Sequence, residues 1–140
     1  MDWIFNGNTD IEIPDKAVGF IYKITRLDTG RHYIGKKLLQ FRRTKQVKGV
    51  KKRVTVESDW KTYYGSNEEL KTEVVELGEA GFKREIIKFC FSKSECNYEE
   101  TRYIMEAKAM FSDDYYNEWI SMRVTKKHIY SALKKNPNFN

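Results

Sequence analysis

The chain has 140 residues, a length suited to one domain. Apolar residues make up 40%, enough for a core, yet no apolar run approaches the ~18 residues that a membrane span needs. A formal net charge of +6 and a pI of about 9.2 favour an anionic partner, with nucleic acid first. Two cysteines, Cys90 and Cys96, do not make a disulfide framework, and with His32 and His128 they do not make a four-ligand zinc site. Cys90 sits in an apolar run and reads as core. Residues 1–10 lack the basic-then-apolar order of a secretion signal, so a cytoplasmic location is expected.

Taken in chain order, residues 1–18 read as an irregular arm, because Pro14 and Asp15 interrupt any regular element. Phe20-Ile21-Tyr22-Lys23-Ile24-Thr25 is β-branched and aromatic and predicts a strand. Asp28-Thr29-Gly30 is a tight turn, and His32-Tyr33-Ile34-Gly35 a second strand, together an antiparallel hairpin. Residues 42–53 contain seven basic side chains and no acidic one, too polar for a core, so this stretch is an exposed loop or ribbon. Ser66 with Glu69 forms a capping box, followed by Leu70, Val74 and Leu77 at helical spacing. Gly78 or Gly81 ends that helix. Residues 82–91 are apolar enough for a central strand. Ser92 with Glu95 caps a further helix running to about Phe111, and Thr125 caps a last one to about Lys135. The order β-β-α-α-β-α-α predicts an α/β (α+β) fold with a three-stranded antiparallel sheet flanked by helices.

Two details of this pattern bear on chemistry. A two-residue turn at Asp28-Thr29 pairs Tyr22 with Gly35 and puts Tyr22 and Tyr33 on one face, diagonal across the hairpin. Gly35 then leaves open space beside Tyr22. On the helix after Ser92, Glu100 lies four residues before Ile104, on the stripe continued by Ala107 and Phe111. It therefore points at the sheet, where a carboxylate needs an Arg, a Lys or a hard cation such as Mg²⁺. Glu99 and Glu106 fall off the stripe and are expected in solvent. Trp60, Tyr63 and Tyr64 read as core aromatics, with base stacking as the alternative.

Phe20-Ile21-Tyr22, ten residues, then Tyr33-Ile34-Gly35 resembles the signature of the GIY-YIG nucleases, with Phe in place of the first Gly. Lys36 follows the second motif directly, as in repair-type members. Arg43 stands eight residues beyond Gly35, where the family has an Arg, with Arg42 beside it. Glu100 precedes Tyr103-Ile104, and Asn117 follows Tyr116, both in family order. Residues 58–66 and 82–86 are further similar to small phage-encoded members. The resemblance covers residues 19–120, with a basic insert at 42–58 and a C-terminal helical extension at 121–140.

This resemblance implies a divalent-metal-dependent endonuclease that hydrolyses phosphodiester bonds in DNA, located in the host cytoplasm if phage-encoded. Glu100 would hold one Mg²⁺ (or Mn²⁺), which neutralises charge on the scissile phosphate and stabilises the leaving oxygen. Tyr22 or Tyr33 would position or deprotonate the attacking water, helped by Lys36. Arg43 would grip phosphate oxygens, and Asn117 would orient Glu100 or the hairpin. Arg42, Lys45, Lys48, Lys51, Lys52 and Arg53 would contact the phosphate backbone without reading sequence. The alternatives are a catalytically silent nucleic-acid-binding or regulatory module on the same fold, or a phage protein that binds a host protein.

Overall fold

The computed structural model describes residues 2–121, 123 and 125–136. Its main sheet has four strands in the order β1 (Trp3–Phe5), β6 (Phe82–Cys90), β2 (Gly19–Arg26) and β3 (His32–Leu38). The hairpin forms in the expected register, with Tyr22 opposite Gly35 and Thr25 opposite His32. β6 lies antiparallel along the other side of β2. The expected purely antiparallel three-stranded sheet is corrected by β1, which pairs parallel with β6, Trp3 opposite Arg84. The residues of the arm that form it are apolar, and burying the Trp3 ring against Phe20 and Tyr22 is what draws them onto the sheet.

The basic insert is a two-stranded ribbon, β4 (Gln40–Val47) and β5 (Val50–Glu57). Its turn, Lys48-Gly49, has φ of 52° and 77° at the two positions, the paired left-handed geometry that matches the twist of a hairpin. The ribbon base is fastened to the domain. Ser58 donates from Oγ to the Leu38 carbonyl at 2.6 Å, and the buried Lys37 ammonium pairs with Asp59 at 2.5 Å while lying over the Tyr63 ring.

Helices cover both faces of the sheet. α1 (Glu68–Leu77) packs Leu70 and Val74 onto the face carrying Phe20, Tyr22 and Ile24, where Trp60 of a single 3₁₀ turn is also buried. α2 (Lys93–Glu106) packs Cys96 and Ile104 onto the opposite face, against Ile21, Ile34 and Cys90. α3 (Lys126–Lys135), capped by Thr125 as expected, rests against α2.

Three expectations about the helices change. The α1 cap is Asn67, whose Oδ1 accepts from the Leu70 N–H at 2.9 Å, rather than Ser66. α2 stops at Glu106, because Lys108 turns left-handed (φ 52°), and this swings Phe111 out to 92% exposure instead of continuing the stripe. Glu99 is not solvated. It is 7% exposed and compensated by Arg102 at 2.6 Å and Lys88 at 3.3 Å, charges that supply the partners burial requires.

Candidate active site

β3 is an edge strand, and its outward backbone groups must find partners. Residues 114–117 provide most of them by running alongside it. The His32 N–H donates to the Asp114 carbonyl at 2.8 Å, and the Tyr116 N–H donates to the His32 carbonyl at 2.8 Å. Two residues further along, the side chain of Asn117 takes over. Its Nδ2 donates to the Ile34 carbonyl at 2.8 Å, and its Oδ1 accepts from the Ile34 N–H at 3.1 Å. An amide is suited to this because it carries one donor and one acceptor side by side. These two bonds join Asn117 to the second strand of the hairpin.

This strap is itself fixed from the α1 side. Asn67 donates from Nδ2 to the Tyr116 carbonyl at 3.1 Å, the Tyr116 hydroxyl donates to Glu73, and the Arg31 guanidinium lies 4.1 Å from the Tyr116 ring centre. Burial and the Glu73 carboxylate push the Tyr116 phenol up to about 12.

At the next outward position of β3, Lys36 meets Glu100. The helix brings the carboxylate to the sheet edge, as its spacing predicts. Burial raises the Glu100 pKa above the usual carboxylate range, while the Lys36 charge and backbone N–H act against that rise. Lys36 is held by the Asn97 side chain, which accepts from its ammonium. A cavity of about 400 Å³ opens here, lined by Tyr33, Lys36, Tyr63, Ser66, Glu100 and Asn117, with the segment Glu118–Ser121 along its rim.

The two tyrosines differ more than the hairpin pattern indicates. Both occupy the α1 face, their ring centres 6.2 Å apart, whereas Glu100 belongs to the α2 face. The sheet lies between these faces, so tyrosine and carboxylate meet only around the β3 edge. Tyr33, on that edge strand, reaches the cavity, and its hydroxyl pairs with Ser66 at 3.0 Å. Tyr22, one strand further in, is 1% exposed and does not line it. The expected space at Gly35 is filled by Tyr22 itself, since a Cβ placed on Gly35 would overlap the phenol. Burial drives the Tyr22 pKa well above its usual value, with the neighbouring Tyr63 and Tyr33 adding to the shift. Burial also raises Tyr33, opposed by the Ser66 hydrogen bond.

Arg43 does not join this cavity. It lies on the ribbon, in a second cleft of about 680 Å³ lined by Arg42, Arg43, Arg53 and Lys93. The long ribbon carries Arg43 outward along its strand, away from the β3 edge. Strand alternation divides the other insert cations between two faces, Arg42, Lys51 and Arg53 on one, Arg43, Lys45 and Lys52 on the other, with Lys48 at the turn. Trp60, Tyr63 and Tyr64 pack in or against the core, as expected.

Sequence reasoning missed Ser66, Asn97 and Lys93 as site residues. Asn97 had a signal, since it stands three residues before Glu100 on the same helical face. Ser66 was masked by its plausibility as a cap.

Among the described residues, no group of three or more His, Cys, Asp or Glu converges on a metal position. Mg²⁺ nevertheless suits Glu100, because that ion keeps several waters and takes one or two carboxylates plus phosphate oxygens. Glu118 is a second carboxylate on the same cavity wall.

A tyrosine hairpin, a helix-borne carboxylate and an asparagine strap thus meet at the free edge of the sheet. The family described as "Putative endonuclease segE, GIY-YIG domain" matches residues 3–120, and the chain belongs to this family. The matched residues include β1. No curated protein and no solved structure matches the chain. No described helix is long and apolar enough to cross a membrane.

Proposed function

We propose that this protein is an endonuclease that hydrolyses phosphodiester bonds in DNA with one divalent cation, Mg²⁺ or Mn²⁺. The observation that carries this reading is the gathering of Tyr33, Lys36, Glu100 and Asn117 at one cavity on the β3 edge. A hydroxyl and an ammonium from β3 and a carboxylate from α2, in a cleft open to solvent, suit an anionic substrate better than they suit a core.

Each residue then has a task. Glu100 would hold the cation, whose charge neutralises the scissile phosphate and stabilises the leaving oxygen. Tyr33, once ionised to the phenolate, faces the attacking water and accepts its proton, with Ser66 donating to and orienting the phenolate oxygen. Tyr22 supports Tyr33 from behind by filling the space over Gly35. Lys36, steadied by Asn97, draws the phosphate in and favours the charged form of Glu100. Asn117 keeps the hairpin edge straight. Arg43 works from the neighbouring cleft, gripping a phosphate of the same strand. The ribbon cations Arg42, Lys45, Lys48, Lys51, Lys52 and Arg53 extend that backbone contact.

One observation favours the silent-binder alternative. The family arginine position falls in a cleft of its own, apart from Glu100. A plasmid nicking assay with and without Mg²⁺ decides between the readings. Metal-dependent conversion of supercoiled to open-circular DNA, abolished in Glu100→Gln, is the expected result. Plasmid binding without cleavage under any divalent cation would leave a nucleic-acid-binding module. Absence of both would leave a protein-binding scaffold.

A further inference from the structure

The described tryptophans divide sharply. Trp3 and Trp60 are buried in the core at 4% and 8% exposure, and the Trp3 indole N–H donates to the Trp60 carbonyl at 2.7 Å. Trp119 is 71% exposed. Among the described residues its ring has no aromatic or cationic neighbour, and its indole N–H has no acceptor. It lines the same cavity as Tyr33, Lys36 and Glu100. It lies two residues beyond Asn117, whose amide bonds Ile34 from both sides. A large apolar ring left in water beside a polar cavity gains only when something flat and apolar covers it.

Charge indicates what that is. Lys36 and Trp119 line the same cavity; Lys36 attracts a phosphate, whereas Glu118, the lining carboxylate adjoining Trp119, repels one. A nucleotide is therefore favoured with its phosphate toward Lys36 and its uncharged base toward Trp119. We propose that Trp119 is a stacking platform for the nucleobase next to the phosphate drawn in by Lys36. This inference rests on the phosphodiesterase reading above. It assigns Trp119 a positioning task, because base stacking fixes the register of the strand without discriminating among bases.

The test uses the emission of Trp119 itself, since the other two indoles are shielded. The whole chain is titrated in EDTA with a short, end-labelled single-stranded oligonucleotide, and binding is followed independently by anisotropy of the label. A base-free sugar–phosphate strand of equal length is the control. Base-bearing DNA should quench the emission, and the base-free strand should bind with little quenching. Trp119→Phe should abolish the quench and keep most of the affinity, while Trp119→Ala should weaken binding by about 5- to 100-fold. The ring is exposed, so neither variant endangers folding. Saturation by anisotropy with unchanged emission overturns the proposal, as does wild-type affinity in Trp119→Ala or the absence of any binding. Plasmid nicking without quenching would overturn the stacking contact alone. Quenching without nicking would overturn hydrolysis and keep Trp119 as a base contact.

Discussion

The ribbon offers a quantitative test of how this protein would lie on DNA. Its cations are split by strand alternation into a set of Arg42, Lys51 and Arg53 and a set of Arg43, Lys45 and Lys52. A cation that neutralises one phosphate contributes about 0.9 to the slope of log affinity against log salt on duplex DNA. A set of three is therefore worth about 2.7 in slope, or roughly 40-fold in affinity between ~50 and ~200 mM salt. If the ribbon lies flat along one backbone, replacing the set that faces DNA with Ala should flatten the slope by about 2.7, and replacing the other set should change it little. If the ribbon enters a groove, phosphates on both walls engage both sets, and each replacement should have a similar effect. Replacing Lys48, Lys51 and Lys52 draws from both faces and the turn, so its full effect of up to about three units appears only in the groove arrangement. The assay is anisotropy of a labelled duplex in EDTA, so that no cleavage intervenes. Unchanged slopes for both face sets would refute backbone contact by the ribbon.

Glu100→Gln should abolish metal-dependent nicking and retain DNA binding, read in parallel by plasmid and anisotropy assays. The same variant tests the burial of the carboxylate. Its folded pKa is raised, so the stability of the wild type is greatest below the ordinary glutamate range and declines as pH rises through the folded value. Glu100→Gln should therefore melt with the wild type in acid and above it at neutral pH in thermal scans without metal. Tyr33→Phe should lose about 10²-fold or more in single-turnover rate, and Tyr22→Phe far less. Because burial raises Tyr33, the wild-type rate should still be climbing at the alkaline end of a pH profile, and a flat profile would remove the phenol as base. Gly35→Ala should destabilise by about 1–3 kcal/mol or more in denaturant melts, since the buried Tyr22 ring has nowhere to go. Asn117→Ala leaves the Ile34 N–H and carbonyl without their partner and should cost about 1–3 kcal/mol in the same measurement.

The sequence by itself determined whatever depends on local periodicity. The pairing of Tyr22 with Gly35 follows from turn length, the inward aim of Glu100 from helical spacing, and the caps at Ser92 and Thr125 from residue chemistry. The ribbon was legible as exposed because its charge forbids a core. Only the tertiary structure decided what depends on neighbours distant in the chain. Trp3-Ile4-Phe5 is made of strand-favouring residues but is too short to stand as a strand alone, and it pairs because Phe20 and Tyr22 offer a surface to bury Trp3. Glu99 reads as a solvent residue until Lys88 arrives from β6. The tyrosines read as equals along the strands, but strand order makes one central and one peripheral, and a phenol can share a cavity with a carboxylate from the opposite face only at a sheet edge. Hydrogen-bond demand at that edge recruits Asn117 from 83 residues away, and this places Trp119 where the cavity opens.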